Sequence, residues 1–449
     1  MSRTTASRTT QRSKRITTIA AGVLGAVLVL TGCSAQTGGG GSGSADLSKV
    51  DYKGTITMVN KFSDPSTSKY FPAMAKAFEK LHPDVKVTVQ QESDQGYKDK
   101  IKVLASSNSI PDIYFVWAGS YAKQYVDAGF AMDITSQIGE GTAWNKTLAP
   151  SAVKAGEYDG KNYGIPIDLD AKFMVYNKKI FADNGVAVPK TFNDLLAACK
   201  TFKDKGITPI NFGNKDGWPA LHYVTQLNAY NVPAATLQKD YTSAHGKFTD
   251  PGYVTALTQF KQLLTQCTAS PTSSNGIDHT DAQVGFAADK SAMMYLEWVE
   301  FGLLDKTQLA TDGWDFFKLP AASDASGDTG TLVGAPDEFL INPKSQNPAL
   351  AVAFMKFVVS KQNAAKMQTL MVGYPSPVKG SLTADNSSPQ SIQALDEVNK
   401  ASGLAIWLDT VTPPAVASAY LAGGEALVSG TDSPAQVMQS VQKAAASSK

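Results

Sequence analysis

The chain has 449 residues, 43% of them hydrophobic, and 41 basic and 40 acidic side chains that give a formal net charge of +1. This length exceeds one ordinary hydrophobic core, so we expect two or three domains. The balanced charge, with no long basic run beyond the N-terminus, excludes the electrostatic footprint of a nucleic-acid-binding protein.

The N-terminus has the composition of an export signal. Basic residues within positions 3–15 precede an apolar run at 16–30. This run is too short and too asymmetrically flanked for a stable membrane-spanning helix, which is the alternative interpretation. We therefore predict a signal peptide at 1–32. Residues 33–50 follow, and the Gly/Ser stretch at 38–44 should make them a flexible tether.

The next segment predicts alternating strands and helices. Strands are expected at 54–60, 85–89 and 110–116, with helices at 69–81 and near 97–104. This order is typical of a parallel sheet covered by helices on both faces. Such sheets bind ligands beyond the carboxyl ends of their strands. That rule selects four candidates: Ser63, Asp64, Trp117 and Ser120.

A second series of elements begins after a predicted hairpin turn at Asp159-Gly160. Pro166 cannot occupy a central ladder position, so the extended stretch around it should be a crossing or an edge. A buried strand at 172–177 comes next. Thr191 then predicts a helix N-cap, with Asp194 three residues later.

Three runs in this region carry a resemblance: G-K-x-Y-G-I-P, Y-N-K-K-I-F-A-D-N-G and P-K-T-F-N-D-L-L. They resemble the mid-chain signature of extracellular solute-binding proteins of ABC importers, the family typified by maltose-binding protein. Two earlier segments, F-E-K-L-H-P-D-V-K-V and S-N-S-I-P-D-I-Y-F, also have counterparts in that family. The resemblance covers roughly residues 52 to 445.

The resemblance implies an α/β, two-lobed periplasmic-binding-protein-like fold. Each lobe would be a mainly parallel sheet flanked by helices, and three crossing segments would form a hinge. We expect the first lobe at 51–164 plus 320–372 and the second at 165–319 plus 373–449. The crossings are expected near 163–167, 318–321 and 371–376.

The second lobe offers two aromatic candidates. Trp218 stands at a predicted strand-to-helix corner, after a strand at 208–212. It could plug the local core, but in relatives an aromatic residue of this region packs against a sugar ring, and a flat apolar face suits stacking. Trp298 follows a predicted strand and Glu297, where relatives keep an aromatic side chain that faces the ligand.

The three cysteines have separate predicted roles. Leu30-Thr-Gly-Cys33 resembles a bacterial lipobox, which implies that Cys33 is acylated. Cys199 and Cys267 each lie on the apolar face of a predicted helix. They could be two buried thiols or a disulfide, because an exported protein permits the bond but the sequence does not give its geometry.

Recognisable catalytic chemistry is absent from the sequence. The four histidines lack metal-ligand spacing, and no P-loop, HExxH or G-x-S-x-G motif occurs. Two pairs of acidic residues remain: Asp168 with Asp170, and Asp337 with Glu338. Such carboxylates could hydrolyse a glycoside, accept hydrogen bonds from sugar hydroxyls, or serve the structure alone.

The side chains favour a neutral sugar as ligand, and an oligosaccharide fits them best. Sugar rings offer apolar faces and hydroxyl edges, which match tryptophans with carboxylates between them. No arginine follows Arg15, so bidentate recognition of an anionic ligand is impossible beyond that residue. The predicted ligand-binding residues are Ser63, Asp64, Trp117, Ser120, Asp168, Trp218, Trp298, Asp337, Glu338, Trp407 and Asp409.

The resemblance therefore implies a lipid-anchored receptor on the outer face of the cell membrane. It would deliver an oligosaccharide to the permease subunits of an ABC importer and act as a monomer, with no catalytic residue, cofactor or metal and no nucleic-acid partner. A receptor for a peptide or polyamine is one alternative, since acidic and aromatic groups also suit cations. A secreted glycosidase is the other.

Overall fold

A computed structural model describes residues 46–242, 246–304 and 307–447 of the chain. The predicted signal peptide, Cys33 and the Gly/Ser stretch all lie within residues 1–45, outside the described residues. Residues 45–449 group as one compact unit. The two lobes within it are therefore distinguished by their sheets and cores.

Strands in the described ranges group into two larger sheets and two short pairs. They are β1 (Gly54–Asn60), β2 (Val85–Gln91), β3 (Ile113–Trp117), β4 (Glu157–Tyr158), β5 (Lys161–Asn162), β6 (Ile165–Pro166), β7 (Lys172–Asn177), β8 (Met293–Glu297), β9 (Trp314–Phe317), β10 (Leu332–Val333), β11 (Asp337–Ile341) and β12 (Leu404–Ala405).

Helices cover the sheets and connect the strands. They are α1 (Tyr70–Leu81), α2 (Asp94–Ser106), α3 (Ser120–Asp127), α4 (Thr135–Ile138), α5 (Ala143–Thr147), α6 (Pro150–Ala155), α7 (Lys178–Asp183), α8 (Phe192–Asp204), α9 (Trp218–Asn231), α10 (Ala234–Thr242), α11 (Pro251–Cys267), α12 (His279–Ala287), α13 (Gln308–Asp312), α14 (Pro348–Val358), α15 (Lys361–Ala364), α16 (Met367–Leu370), α17 (Pro389–Lys400), α18 (Leu408–Val411), α19 (Pro414–Ser429) and α20 (Pro434–Ser447). Short 3-10 helices lie at Ser274–Gly276 and Trp298–Leu303.

The first sheet has the strand order β2-β1-β3-β11-β6. Strands β1, β2 and β3 are parallel, as the sequence predicts, whereas β11 returns antiparallel to β3 with Asp337 opposite Trp117. Strand β6 pairs with β11 at the edge, so the prediction for the stretch around Pro166 is confirmed. A proline is tolerated there because an edge strand need not donate to a second neighbour.

The second sheet differs from the prediction. Its order is β8-β7-β9, and both pairings of the central strand β7 are antiparallel. The predicted parallel strand at 208–212 makes only a single bridge, between Ile210 and Met293. Pro209 has no amide hydrogen for a longer ladder, and a side chain at Gly213 would collide with the carbonyl of Asp278. A mainly parallel sheet is therefore wrong for the second lobe.

Local signals read from the sequence are confirmed at several positions. Thr191 and Asp194 form a reciprocal capping box at the start of α8. Asp159 and Gly160 both have positive φ, 52° and 76°, in the turn that joins β4 to β5. This combination matches the two-residue hairpin turn that an Asp-Gly pair predicts.

Buried apolar side chains form separate clusters on the two sides of the molecule. One surrounds the first sheet and includes Ile56, Phe115 and Phe339. Two others pack against the second sheet and contain Met174 and Phe173 respectively. The segment after β6 links the predicted crossings, because the amide of Leu169 donates to the carbonyl of Pro375 over 2.8 Å. The exact lobe boundaries and the hinge stay predictions.

A disulfide joins Cys199 in α8 to Cys267 at the end of α11. Both cysteines are fully buried, and their Cα atoms are 5.0 Å apart. Of the two interpretations that the sequence left open, the structure has the bond.

Candidate functional site

Trp117 marks the first-lobe side of the candidate site, at the carboxyl end of β3. The Lys61 ammonium lies 3.0 Å from an Asp337 carboxylate oxygen and 5.1 Å from the centre of the indole ring. The Lys98 ammonium lies 4.8 Å from a ring centre of the same tryptophan and 2.8 Å from Asp94. Two paired cations therefore lie against an indole that is only 8% exposed.

The Lys61–Asp337 pair is shielded from water. Burial alone would lower the pKa of Lys61, but the charges of Asp337, Tyr374 and Asp94 outweigh it and raise that pKa well above its usual value. Burial raises the pKa of Asp337, and Lys61 opposes that rise. Because breaking such a pair leaves one charge without compensation, the two side chains depend on each other.

Asp168 stands beside this pair in the crossing segment after β6. One carboxyl oxygen accepts a hydrogen bond from the Asp337 amide over 2.8 Å, whereas Oδ2 is buried without a partner. Burial, together with the charge of Asp337, raises the pKa of Asp168 well above its usual value. A buried oxygen without a partner is costly, so it is a natural contact for a ligand hydroxyl.

Glu338, the neighbour of Asp337 in β11, is set apart from this group. It is completely buried, and Oε2 accepts a hydrogen bond from the hydroxyl of Tyr158 over 3.2 Å. The same Tyr158 oxygen accepts from the Gly119 amide. Burial raises the pKa of Glu338 to about 8. Alternate residues of a strand point to opposite faces, which explains why the two acidic neighbours have different partners.

Trp218 and Trp407 form the second-lobe side of the candidate site. Trp218 is the first residue of α9 and is half-buried, while Trp407 is 6% exposed and precedes α18. Both indoles contact the imidazole of His222, with ring centres 4.8 Å and 4.1 Å away. His222 lies one helical turn after Trp218, so the two side chains share a face of α9.

Lys172 lies beneath these rings at the start of β7. Its ammonium is 2.9 Å from His222 Nδ1, 3.5 Å from Glu297 Oε1 and 4.8 Å from a ring centre of Trp218. Burial alone would raise the pKa of Glu297, but the charge of Lys172 lowers it. A charged side chain inside a fully buried strand is thus balanced by a carboxylate from the neighbouring strand.

Asp409 completes the group from the C-terminal part of the chain. Its Oδ1 is buried without a partner. Burial raises the pKa of Asp409 to about 6, Lys98 opposes the rise, and Glu297 and Asp94 add to it. The charge of Glu297 also acts on Asp168 and Asp337. Both sides of the candidate site therefore lie within electrostatic reach of each other.

The remaining predicted residues have other surroundings. Ser63 and Asp64 are exposed in the loop after β1, and the Asp64 carbonyl accepts from the amides of Thr67 and Ser68. Ser120 begins α3 and donates its hydroxyl hydrogen to the Val411 carbonyl over 2.6 Å.

Trp298 differs most from the expectation. It is 0% exposed and packs with Phe173, Leu296 and Phe316 in an apolar cluster of the second lobe. Its indole therefore serves as a core side chain in this structure, with no open face toward the candidate site. Trp298 is the first residue of a 3-10 helix that directly follows β8.

Four side chains of the site were missed from the sequence: Lys61, Lys98, Lys172 and His222. Lys61 directly follows β1, so the rule that selected Ser63 also reaches it. Lys172 could have been found as a lysine that opens a buried strand, since such a charge needs a partner. The only sequence signal for His222 was its position four residues after Trp218, which places the two side chains on the same face of a helix.

A groove of about 760 Å³ opens elsewhere, along the segment from Phe316 to Ala322 and against α17. It shares no lining residue with the predicted ligand-binding residues. Within the three described ranges, no group of three or more His, Cys, Asp or Glu side chains could hold a metal ion.

No helix in the described part of the chain has both the length and the apolar composition to cross a membrane.

Comparisons with known proteins agree with this architecture. The melibiose/raffinose/stachyose-binding protein MelE of Bacillus subtilis is 28% identical over 210 residues, which are 45% of this chain and 44% of MelE. The multiple sugar-binding protein of Streptococcus mutans is 24% identical over 374 residues, 81% of this chain and 84% of that protein. The chain spans less than half the length of the first curated relatives that it matches.

A solved structure of a chitin oligosaccharide binding protein has a TM-score of 0.79 at 19% identity and covers 89% of this chain and 99% of that one. This likeness confirms the predicted α/β, two-lobed fold. A model of the family of bacterial extracellular solute-binding proteins, which are not enzymes, matches residues 64–365. Because this match covers more than half of the chain, the protein belongs to the bacterial extracellular solute-binding protein family.

Proposed function

We propose that this protein captures a neutral oligosaccharide outside the cytoplasm and delivers it to an ABC importer. The observation that carries the proposal is the combination of the half-buried indole of Trp218 with buried carboxyl oxygens that lack partners, among them one on Asp168 and one on Asp409. An aromatic face suits the apolar side of a sugar ring, and free carboxyl oxygens accept hydrogen bonds from its hydroxyls. The proposed ligand-binding residues are Trp117, Asp168, Trp218, Asp337, Trp407 and Asp409, with Ser63, Asp64 and Ser120 at the margin.

The charges of the site support a neutral ligand. Lys61 pairs with Asp337, Lys98 with Asp94 and Lys172 with Glu297, so each lysine already has a carboxylate. An anionic sugar that displaced the partner of Lys61 or Lys172 would leave a buried carboxylate unpaired, which is unfavourable. A neutral sugar can instead use the unpartnered oxygens.

For delivery, the permease must distinguish the sugar-bound protein from the free protein by its conformation. A ligand that touches both lobes stabilises the closed arrangement, and the permease would recognise that arrangement. A ligand with equal affinity for both arrangements would shift nothing. The placement of Trp117 on one sheet and of Trp218 and Trp407 against the other supports such a bridging contact.

The names of relatives support the ligand class. MelE is named for melibiose, raffinose and stachyose, and the Streptococcus mutans relative for multiple sugars. Their substrates differ among themselves, so the family indicates a sugar without fixing which one.

A thermal-shift screen tests the proposal. The panel contains mono- and oligosaccharides, with amino acids and polyamines as controls. A ligand at a hundredfold excess over its Kd should stabilise the protein by about 2.7 kcal/mol. A rise in Tm with one group of sugars alone is expected. A rise with a polyamine or a peptide and none with any sugar would refute the sugar assignment.

The export and anchoring of the protein are part of the proposal. The lipobox-like sequence before Cys33 supports acylation of that cysteine, which would hold the receptor on the outer face of the cell membrane. Mass spectrometry of the cell-associated protein should find a lipid-modified N-terminal cysteine. The Cys33→Ser variant should appear in the medium, and retention of that variant in the membrane would contradict the anchor.

We also propose that the protein binds its sugar without turning it over and acts as a monomer. Incubation with the sugars that raise Tm should return them unchanged, and the appearance of shorter products would instead establish a glycosidase. Light scattering should give the mass of one chain with and without the sugar.

A further inference from the structure

The imidazole of His222 contacts both tryptophans on the second-lobe side of the site. Its ring is nearly parallel to that of Trp407, with 19° between the planes, and inclined by 48° to that of Trp218. Among the described residues, no ring contact joins the two indoles directly. His222 itself is 5% exposed. This buried ring is therefore one link between the two indoles, while Trp218 also contacts the ring of His279, with ring centres 4.6 Å apart.

Lys172 determines the hydrogen-bonding state of that ring. An ammonium group has only donors, so the 2.9 Å contact makes His222 Nδ1 the acceptor and places the ring hydrogen on Nε2. Glu297 Oε1 lies 3.2 Å from the same Nδ1, but both atoms are then acceptors and share the Lys172 ammonium. Burial, with the charge of Lys172, lowers the pKa of His222 to about 3, so the imidazole is neutral at pH 7.

Helix α9 adds a second connection to the segment that carries Trp407. Thr225 lies three residues after His222, and its hydroxyl oxygen accepts a hydrogen bond from the Leu408 amide over 3.1 Å. The helix is buried on all sides from Pro219 to Asn231. A rigid element therefore holds both the imidazole and the backbone next to Trp407.

The ring of His222 also limits which indole faces a sugar can use. It covers one face of Trp407 and part of Trp218, so a sugar can stack only on the remaining surfaces. Those surfaces belong to two indoles that the imidazole keeps apart. We expect a ligand of several rings to contact Trp218 and the small exposed part of Trp407 together, whereas a monosaccharide would contact only one of them.

We propose that His222, oriented by Lys172, is a specificity-determining positioning residue that spaces Trp218 and Trp407 for a ligand of more than one sugar ring. This inference rests on the proposed function for its ligand. The side-chain arrangement itself can be tested without any sugar.

The first test is ligand-free. Nitrogen-15 NMR of the histidine rings at pH 7 should show an unprotonated Nδ1 and a protonated Nε2 for His222, assigned by its loss in His222→Gln. Lys172→Met should shift the Nδ1 signal. Lys356→Met is the matched control, because Lys356 also lies over an indole, 5.2 Å from a ring centre of Trp144, and it should leave the signal in place. A proton on Nδ1 would overturn the proposal.

The second test is a double-mutant cycle read out by binding. Affinities for raffinose and galactose, or for the tri- and monosaccharide that the thermal screen identifies, are measured with Lys172→Met, His222→Phe and the double variant. Loss of a hydrogen bond to a charged group should weaken trisaccharide binding roughly tenfold in each single variant. The double variant should be no weaker than either single one, because both act through one contact.

The monosaccharide should lose less than about threefold in affinity, since it needs only one indole. Additive losses in the double variant, or equal losses for both sugars, would overturn the positioning role. If no sugar binds the unchanged protein, the proposed function fails, and the NMR result alone decides whether Lys172 orients His222.

Discussion

The two sides of the candidate site hold their tryptophans by different means. On the first-lobe side, Trp117 lies against the ammonium groups of Lys61 and Lys98, and each lysine has its own carboxylate partner. On the second-lobe side, Trp218 and Trp407 lie against the neutral ring of His222. One side is built from charge pairs and the other from ring contacts above a single buried ion pair.

This difference indicates where each side is vulnerable. A charge pair fails when one member is removed, because the other charge stays buried and uncompensated. A set of ring contacts fails gradually, because each contact contributes a modest amount. Four predictions test this contrast, from the largest expected effect to the smallest.

The disulfide lies on the second-lobe side, in the cluster that contains Met174. It closes a loop with a sequence separation of 68 residues, and the loop-entropy relation gives a stabilisation of about 4 kcal/mol. The Cys199→Ser, Cys267→Ser variant should therefore lose about that much free energy of unfolding, measured by denaturant titration. A loss confined to the first-lobe side in hydrogen exchange would contradict this placement.

Removing Lys61 should damage the first-lobe side most. Lys61→Met leaves the Asp337 carboxylate buried without its cation, so the free energy of unfolding should fall by about 3 kcal/mol. Lys53→Met is the matched control, because Lys53 and Asp51 form an exposed pair 2.7 Å apart. That variant should leave the free energy of unfolding almost unchanged, because an exposed ion pair contributes little. Equal losses in both variants would remove the contrast between the sides.

Removing Trp218 should affect binding more than folding, because its side chain is half-buried. Trp218→Ala should weaken the binding of the identified sugar roughly thirtyfold, or about 2 kcal/mol, as expected for a tryptophan at the centre of a binding surface. Isothermal titration calorimetry measures the change. Trp144→Phe, on α5 away from the site, serves as control, and an unchanged affinity in Trp218→Ala would exclude stacking on this indole.

Glu338 should make stability fall as pH rises. Its pKa is about 8 in the folded protein against 4.5 for an ordinary glutamate, so unfolding releases a proton between these values. The free energy of unfolding should fall by about 1.4 kcal/mol per pH unit across that window from this group alone. Glu338→Gln should remove the slope, whereas Glu140→Gln, at an exposed position, should keep it. If the free energy of unfolding of Glu338→Gln depends on pH as strongly as that of the unchanged protein, the released proton belongs to another group.

Local features of the fold could be predicted from the sequence because they depend on neighbouring residues. The capping box at Thr191 and the turn at Asp159-Gly160 are set by side chains within a few positions. The edge position of Pro166 follows from its missing amide hydrogen. The direction of the strands beside β7 could not be predicted in this way. The strands that pair with β7 are more than a hundred residues away from it along the chain.

The candidate site shows the same limit. Trp117, Trp218 and Trp407 were selected by their places at strand and helix ends, and the structure puts each beside charged or ring partners. Trp298 was selected by the same argument, yet it is fully buried at the start of a 3-10 helix. Lys172 and His222 were missed because their role depends on a contact between β7 and α9. The spacing of residues along the chain does not reveal such a contact.

The pairing of every lysine in the site has a consequence for the conditions under which the protein works. Exposed charges separated by more than about 10 Å are screened in 0.1 M salt, whereas buried pairs are screened far less. Because the Lys61–Asp337 and Lys172–Glu297 pairs are shielded from water, the affinity for a neutral sugar should change little with ionic strength. Such a receptor would be suited to an exterior whose salinity the cell does not control.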